Sequence, residues 1–194
     1  MIGLYGMGGA ICQRLIPMLP EGESVHDLRN NGIKITLPRY VFAGGYLLGW
    51  SFKDQTWSQR AQAWSDNFGQ VVEACEKILE TNTAARIVII GSDSGIKGSY
   101  DMAYAGAKAA LHLYVETKRL AWPGQQLVCI APGIISDAGM TTRRDDVERL
   151  KARAAKHPKG RFCSASEVAR LAHFLLYQDG GYITGTTIRM NGGE

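Results

Sequence analysis

No apolar stretch of this 194-residue chain approaches the ~20 residues that a membrane-spanning helix needs, and no charged-then-apolar leader opens it. We therefore expect no membrane partner and a cytoplasmic location. Cysteine is scarce: Cys12, Cys75, Cys129 and Cys163 lie far apart, without C-x-x-C spacing, and three sit in apolar surroundings. That pattern fits buried, reduced thiols and not disulfides or a metal cluster. His26, His112, His157 and His173 show no ligand spacing either, so no metal is expected. Internal repeats, low-complexity tracts and linkers are absent, which leaves residues 1–194 as one domain around a single core. Without a recognition module or aromatics interleaved among the basic residues, nucleic acid is not an expected partner.

What the chain does contain is a soluble globular mixture, 45% hydrophobic and 21% charged, in alternating strand and helix signals. Residues 1–5 form an apolar run, followed by Gly6-Met7-Gly8-Gly9 and an amphipathic helix over 10–16 that Pro17 and Pro20 end. A brief strand over 23–27 and another over 39–45 follow, only a dozen residues apart, leaving room for one thin crossover. Ser58 to Leu79 reads as a long helix, with Ala63, Phe68, Val71, Val72, Cys75, Ile78 and Leu79 on its core face. Strands over 87–90, 127–131 and 187–190 and a helix over 167–177, capped by Ser166 with Ser164 next best, complete the pattern. The fold class is α/β: a doubly wound, mainly parallel Rossmann-like sheet with helices on both faces. Trp50, Trp57 and Trp64 read as core or interface.

Chemistry concentrates around Tyr104 and Lys108. Their i, i+4 spacing sets phenol and ammonium on one helical face, and a nearby cation favours the phenolate. Ser92 follows the buried run Ile87-Val88-Ile89-Ile90-Gly91, so its hydroxyl stands at a strand's carboxyl end, where open α/β sheets bind ligands. Ser94 is its rival. Hydroxyl, phenol and ammonium together are a plan for proton transfer at a carbonyl carbon. Strand, glycine turn and helix at Gly6, Gly8 and Gly9 suit a pyrophosphate. Asp27, about 20 residues further on, is placed to bind adenosine ribose hydroxyls or simply to form a turn, and Arg29 is placed to accept a 2′-phosphate. NAD or NADP is the expected cofactor, with NAD favoured.

Ser92, Tyr104-x-x-x-Lys108, Asn67, Pro132-Gly133-Ile134-Ile135 and the ending Gly185 to Gly193 closely resemble the short-chain dehydrogenase/reductase family. The resemblance is strongest from Arg39 onward. It implies a catalytic set of Asn67, Ser92, Tyr104 and Lys108, in which Asn67 holds a water that links Lys108 to solvent. Cofactor contacts are implied at Gly6, Gly8, Gly9, Asp27, Ala43, Gly44, Tyr104, Lys108, Pro132, Gly133 and Ile135. The chain departs from the family in three places. Its glycine loop fits two registers, of which the favoured one keeps residues 1–5 as a strand and shortens the loop. The family's Asn-Asn-Ala-Gly reads Phe42-Ala43-Gly44-Gly45 here. Asp137 stands where a Thr often contacts the cofactor, which passes that contact to Ser136 or Thr141.

The implied activity is NAD(P)-dependent interconversion of a carbonyl and an alcohol. Two rivals are a non-catalytic nucleotide-sensing or scaffolding protein on the same fold and a sugar-nucleotide epimerase or dehydratase. The segment from Arg143 to Arg161 carries a local excess of +5 against +4 for the whole chain, a solvated face or a seat for an anionic substrate. Family pairing of the helices that bear Tyr104 and Asn67 implies a homodimer or homotetramer.

Overall fold

The computed structural model describes residues 1–178 and 180–194. The first strand, β1 (Ile2–Tyr5), is buried along its whole length and lies inside the sheet. It pairs in parallel with β2 (Val25–Asp27) on one side and β3 (Arg39–Phe42) on the other. The favoured register at the N-terminus therefore holds, and the strand expected over 39–45 ends at Phe42. Strands β4 (Arg86–Ile90), β5 (Gln126–Pro132) and β6 (Thr186–Met190) extend the sheet in the order β2-β1-β3-β4-β5-β6, every pairing parallel.

Around the sheet lie α1 (Ala10–Leu15), α2 (Trp57–Trp64), α3 (Gln70–Thr81), α4 (Ser94–Lys97), α5 (Met102–Thr117), α6 (Gly139–Thr142), α7 (Val147–Lys156) and α8 (Ala165–Tyr177). Alternation along β4 sends Ile87 and Ile89 to one face and Val88 and Ile90 to the other. On the first face they pack with Ile78, Leu79, Leu111 and Val115 of α3 and α5. On the second, Leu15 of α1 and Val168, Ala172 and Leu175 of α8 close the core. Burial of both faces is why the central strands read as continuous apolar runs.

The crossover from β2 to β3 carries no helix. Leu28 and Leu37 pack directly on the sheet, and the buried Tyr40 hydroxyl holds the loop by accepting from Leu37 N (2.9 Å) and donating to the Lys34 carbonyl (2.8 Å). A Cβ at Gly3 would meet Leu28, Leu37 and Tyr40 within 3.1 Å, so the thin crossover sits where a side chain on β1 would be.

Three expectations need correction. The helix expected over 58–79 contains a π-helical turn at Ser65–Gly69, between α2 and α3, and begins at a Thr56–Gln59 capping box. The π turn widens the helix at Asn67, and such insertions recur at functional sites. The last long helix is capped by Ser164, whose reciprocal bonds with Glu167 use the N-cap and N3 positions; Ser166 lies inside the helix. Trp50, Trp57 and Trp64 are 51%, 78% and 47% exposed, which removes them from the core.

Candidate active site

The carboxyl ends of β1, β3, β4 and β5 open onto one cleft of about 940 Å³. Strand order reverses between β1 and β3, and such switch points leave a crevice above the sheet. Gly6, Gly8, Gly9, Asp27, Ala43, Gly44, Ser92, Tyr104, Lys108, Pro132, Gly133 and Ile135 all line it. Gly6 has φ +83°, and a Cβ there would lie 2.9 Å from the Gly44 nitrogen. Only glycine lets the turn after β1 press this closely against the turn after β3.

Asp101 caps α5 by accepting from Tyr104 N at 3.2 Å, which sets the first turn so that Tyr104 and Lys108 face the strand tips. Lys108 is buried and donates to the Ile90 carbonyl at 3.0 Å and the Gly44 carbonyl at 3.5 Å. Burial pushes its ammonium down to about 8. The Tyr104 phenol is 8% exposed. Its pKa is raised: burial is the largest influence, the Ser92 hydroxyl opposes it, and the Asp101 charge adds to it. This is opposite to the direction expected from the Tyr–Lys spacing. The ammonium stands 5.9 Å from the ring centroid and is held by backbone carbonyls, so desolvation outweighs it. Ser92 accepts from Ser94 N at 3.2 Å; both serines line the cleft.

Asn67 lies outside the cleft lining and is wholly buried. Its amide donates to the carbonyls of Tyr46 and Ala63, each at 2.7 Å, and accepts from Tyr46 N at 3.1 Å. It thus pins the 45–49 segment. Between it and Lys108 lies Gly45, where a Cβ would be 3.5 Å from Asn67 Oδ1 and 4.0 Å from Lys108 Nζ. Asp137 turns away from the cleft, accepting from Ala165 N at 2.7 Å and meeting Arg14 at 3.7 Å. Ser136 also turns away, donating to the Cys163 carbonyl, so Thr141 alone of the two substitutes lines the cleft.

Asp27 ends β2 and bonds Arg29 N (2.9 Å), Asn30 N (3.3 Å) and Asn30 Nδ2 (2.6 Å). Desolvation is the largest single influence and pushes its pKa up, but these bonds together prevail and hold it below the usual carboxylate range. It is a turn residue that also faces the cleft.

Sequence reasoning missed two buried aspartates. Asp101 accepts from Leu48 N (3.1 Å), Gly49 N (3.3 Å) and Gln55 Nε2 (2.9 Å) besides Tyr104 N, tying the cleft wall to α5. An aspartate three residues before Tyr104 at the start of a helix was the available signal. Asp93 is 1% exposed and binds Arg189 (2.5 Å) and Lys97 (2.9 Å), linking the segment after Ser92 to β6. Burial raises its pKa, but Arg189 and Lys97 bring it below the usual range. The Lys97 pair sits at i, i+4, but nothing local in the sequence announces the Arg189 pair.

Residues 48–194 match the family model described as enoyl-(acyl carrier protein) reductase. An acetoacetyl-CoA reductase of Acinetobacter sp. (strain RA3849) is 32% identical over 152 residues, covering 74% of this chain and 59% of the relative. The 3-oxoacyl-[acyl-carrier-protein] reductase FabG of Escherichia coli (strain K12) is 31% identical over 144 residues, covering 73% and 58%. The chain thus spans less than two thirds of the length of these curated relatives. A solved short-chain dehydrogenase/reductase structure from Brucella melitensis, described as a glucose/ribitol dehydrogenase, superposes with a TM-score of 0.83 at 19% identity, covering 99% of this chain and 95% of that one. That likeness concerns the fold.

Proposed function

This chain belongs to the short-chain dehydrogenase/reductase family, and from that premise we propose that it is an NAD(P)-dependent oxidoreductase interconverting a carbonyl and an alcohol. The observation that carries the reading is the convergence of Ser92, Tyr104 and Lys108 on one cleft with the Gly6–Gly9 turn. The cleft suits a dinucleotide: it runs from Asp27 to Tyr104, its volume lies at the upper end of ligand pockets, and its floor is glycine backbone where a Cβ at Gly6 could not fit. Gly6, Gly8 and Gly9 would hold the pyrophosphate, Asp27 the adenosine ribose, and Ala43 and Gly44 the intervening chain. Tyr104 and Lys108 would hold the second ribose, with Pro132, Gly133 and Ile135 against the nicotinamide. The bound cofactor supplies the hydride.

The protein's own groups handle the proton. A phenol whose pKa is raised stays protonated near neutral pH, so Tyr104 is poised to give its hydroxyl proton to the carbonyl oxygen in reduction. Ser92 donates to the same oxygen and steadies the phenolate that forms. Lys108, mostly charged below about 8, adds positive charge beneath both. Asn67 acts through the 45–49 segment that it pins.

Finer points follow from the same walls. The ionised Asp27 supports NAD, since its charge repels a 2′-phosphate. An adjoining cavity of about 970 Å³, in whose lining Arg143, Arg144, Arg149 and Arg153 outnumber Asp145 and Asp146, supports a small carbonyl substrate with a negative group. The names of the two reductase relatives point to a 3-oxoacyl thioester. Trp57 and Trp64 on α2 and Met102 and Leu113 on α5 are exposed, which supports a homodimer or homotetramer through these helices.

The test is Tyr104→Phe. It should lower turnover by ~10²–10⁴ while cofactor binding, followed by fluorescence, changes little. Turnover at the wild-type level would refute the mechanism.

A further inference from the structure

Tyr104, Lys108 and His112 repeat at i, i+4 and i+8 on α5, so the imidazole stands one turn beneath the ammonium on the same face. His112 is 5% exposed and reaches the segment that follows β4, where Ser92 N donates to its Nε2 at 3.3 Å. That bond requires Nε2 unprotonated and places the proton on Nδ1, a buried atom with no partner among the described residues. The imidazole's seat is cut from two glycines. A Cβ on Gly91 would lie 2.4 Å from Nε2, and one on Gly95 would lie 2.7 Å from Cε1. A buried, half-satisfied histidine clasped by glycines on both sides of Ser92 is costly to keep, and the group it holds is the backbone of that serine.

We propose that His112 is a positioning residue for Ser92: neutral, it accepts the Ser92 backbone N–H and fixes where the hydroxyl points, and protonated, it releases it. The inference rests on the reading of Ser92 as the carbonyl-binding hydroxyl. Protonation turns Nε2 from acceptor into donor, so two N–H groups then oppose each other. The charges around the ring are mixed. Lys108 and Glu116 face it from its own helix, Asp93 from the segment after β4, and Cys129 of β5 borders the same gap at Gly91. Asp93 in turn is held by Lys97 of α4 and Arg189 of β6. Burial and Lys108 together lower the His112 pKa against the opposing pull of Glu116 and Asp93, so the neutral, accepting form prevails at neutral pH.

The experiment uses the whole 194-residue chain, ¹⁵N-labelled and without cofactor, titrated across the mildly acidic range. The Ser92 amide should shift in step with the His112 ring, with a midpoint below the ordinary histidine value, and should stop titrating in His112→Gln. That variant keeps a non-titrating acceptor oxygen, so its turnover at neutral pH should stay near wild type, and it should lack the fall in turnover in mild acid that protonation of His112 should cause in the wild type. In His112→Leu, kcat should fall roughly 10- to 100-fold with the cofactor KM little changed. A Ser92 amide that stays flat while His112 titrates would overturn the proposal, as would full kcat in His112→Leu. Because the amide titration needs neither cofactor nor turnover, it stands even if Tyr104→Phe were to refute the proton-transfer mechanism.

Discussion

Asp101→Ala removes one carboxylate that four N–H groups share. The lost helix cap at Tyr104 N costs about 1 kcal/mol. Leu48 N loses a charged acceptor in a half-buried setting, worth about 1.5 kcal/mol. Gly49 is exposed, so water replaces most of its bond, and Gln55 Nε2 keeps the Trp50 carbonyl at 2.9 Å; each adds only about 0.5 kcal/mol. The total is about 3–4 kcal/mol, a fall in Tm of roughly 10 °C for a chain of this size. Urea unfolding followed by tryptophan fluorescence measures it, provided the slope m is unchanged. Asp101→Ser retains a good cap but cannot reach the 48–55 segment, and should recover about 1 kcal/mol of the loss. Because the same carboxylate sets the first turn of α5, kcat/KM should fall in both variants and further in the alanine. A destabilisation of Asp101→Ala below about 1 kcal/mol would refute the view that Asp101 ties the cleft wall to the Tyr104 helix.

Asp27→Ala should weaken NAD and ease repulsion of a 2′-phosphate, moving the ratio of apparent affinities toward NADP; an unchanged ratio would leave Asp27 as a turn residue alone. Lys108 has a folded-state pKa of about 8 against an ordinary 10.5, so the unfolded chain holds that proton more tightly. The stability tied to this group is therefore full above about 10.5 and lost as the pH falls toward 8. Lys108→Met should stabilise the cofactor-free protein by about 1–2 kcal/mol at neutral pH, after allowance for two orphaned carbonyls, and flatten that segment in denaturant unfolding across the alkaline range while abolishing turnover. Light scattering should give a dimer or tetramer at micromolar concentration, and Trp57→Glu with Trp64→Glu should shift it toward monomer; a fully active wild-type monomer would rule the assembly out.

The Tyr104–Lys108 pair, Ser92 at a strand tip and the succession of strands along the chain were legible because each rests on local spacing: 3.6 residues per helical turn, and a buried apolar run that must end where polar residues resume. The direction of the Tyr104 pKa was not legible, because it depends on how deeply the phenol is buried and on where the Lys108 ammonium is drawn by the Ile90 and Gly44 carbonyls. The fate of Asp137 likewise turned on Arg14 and the start of α8, which lie far from it in sequence. The N-terminal register was decided by pairing: β1 is held from both sides by β2 and β3, and only that placement leaves no buried strand edge there. Local pattern alone determined which residues could do chemistry. Tertiary packing decided which of them meet, because desolvation and long-range hydrogen bonds exist only once the sheet has brought distant segments to one cleft.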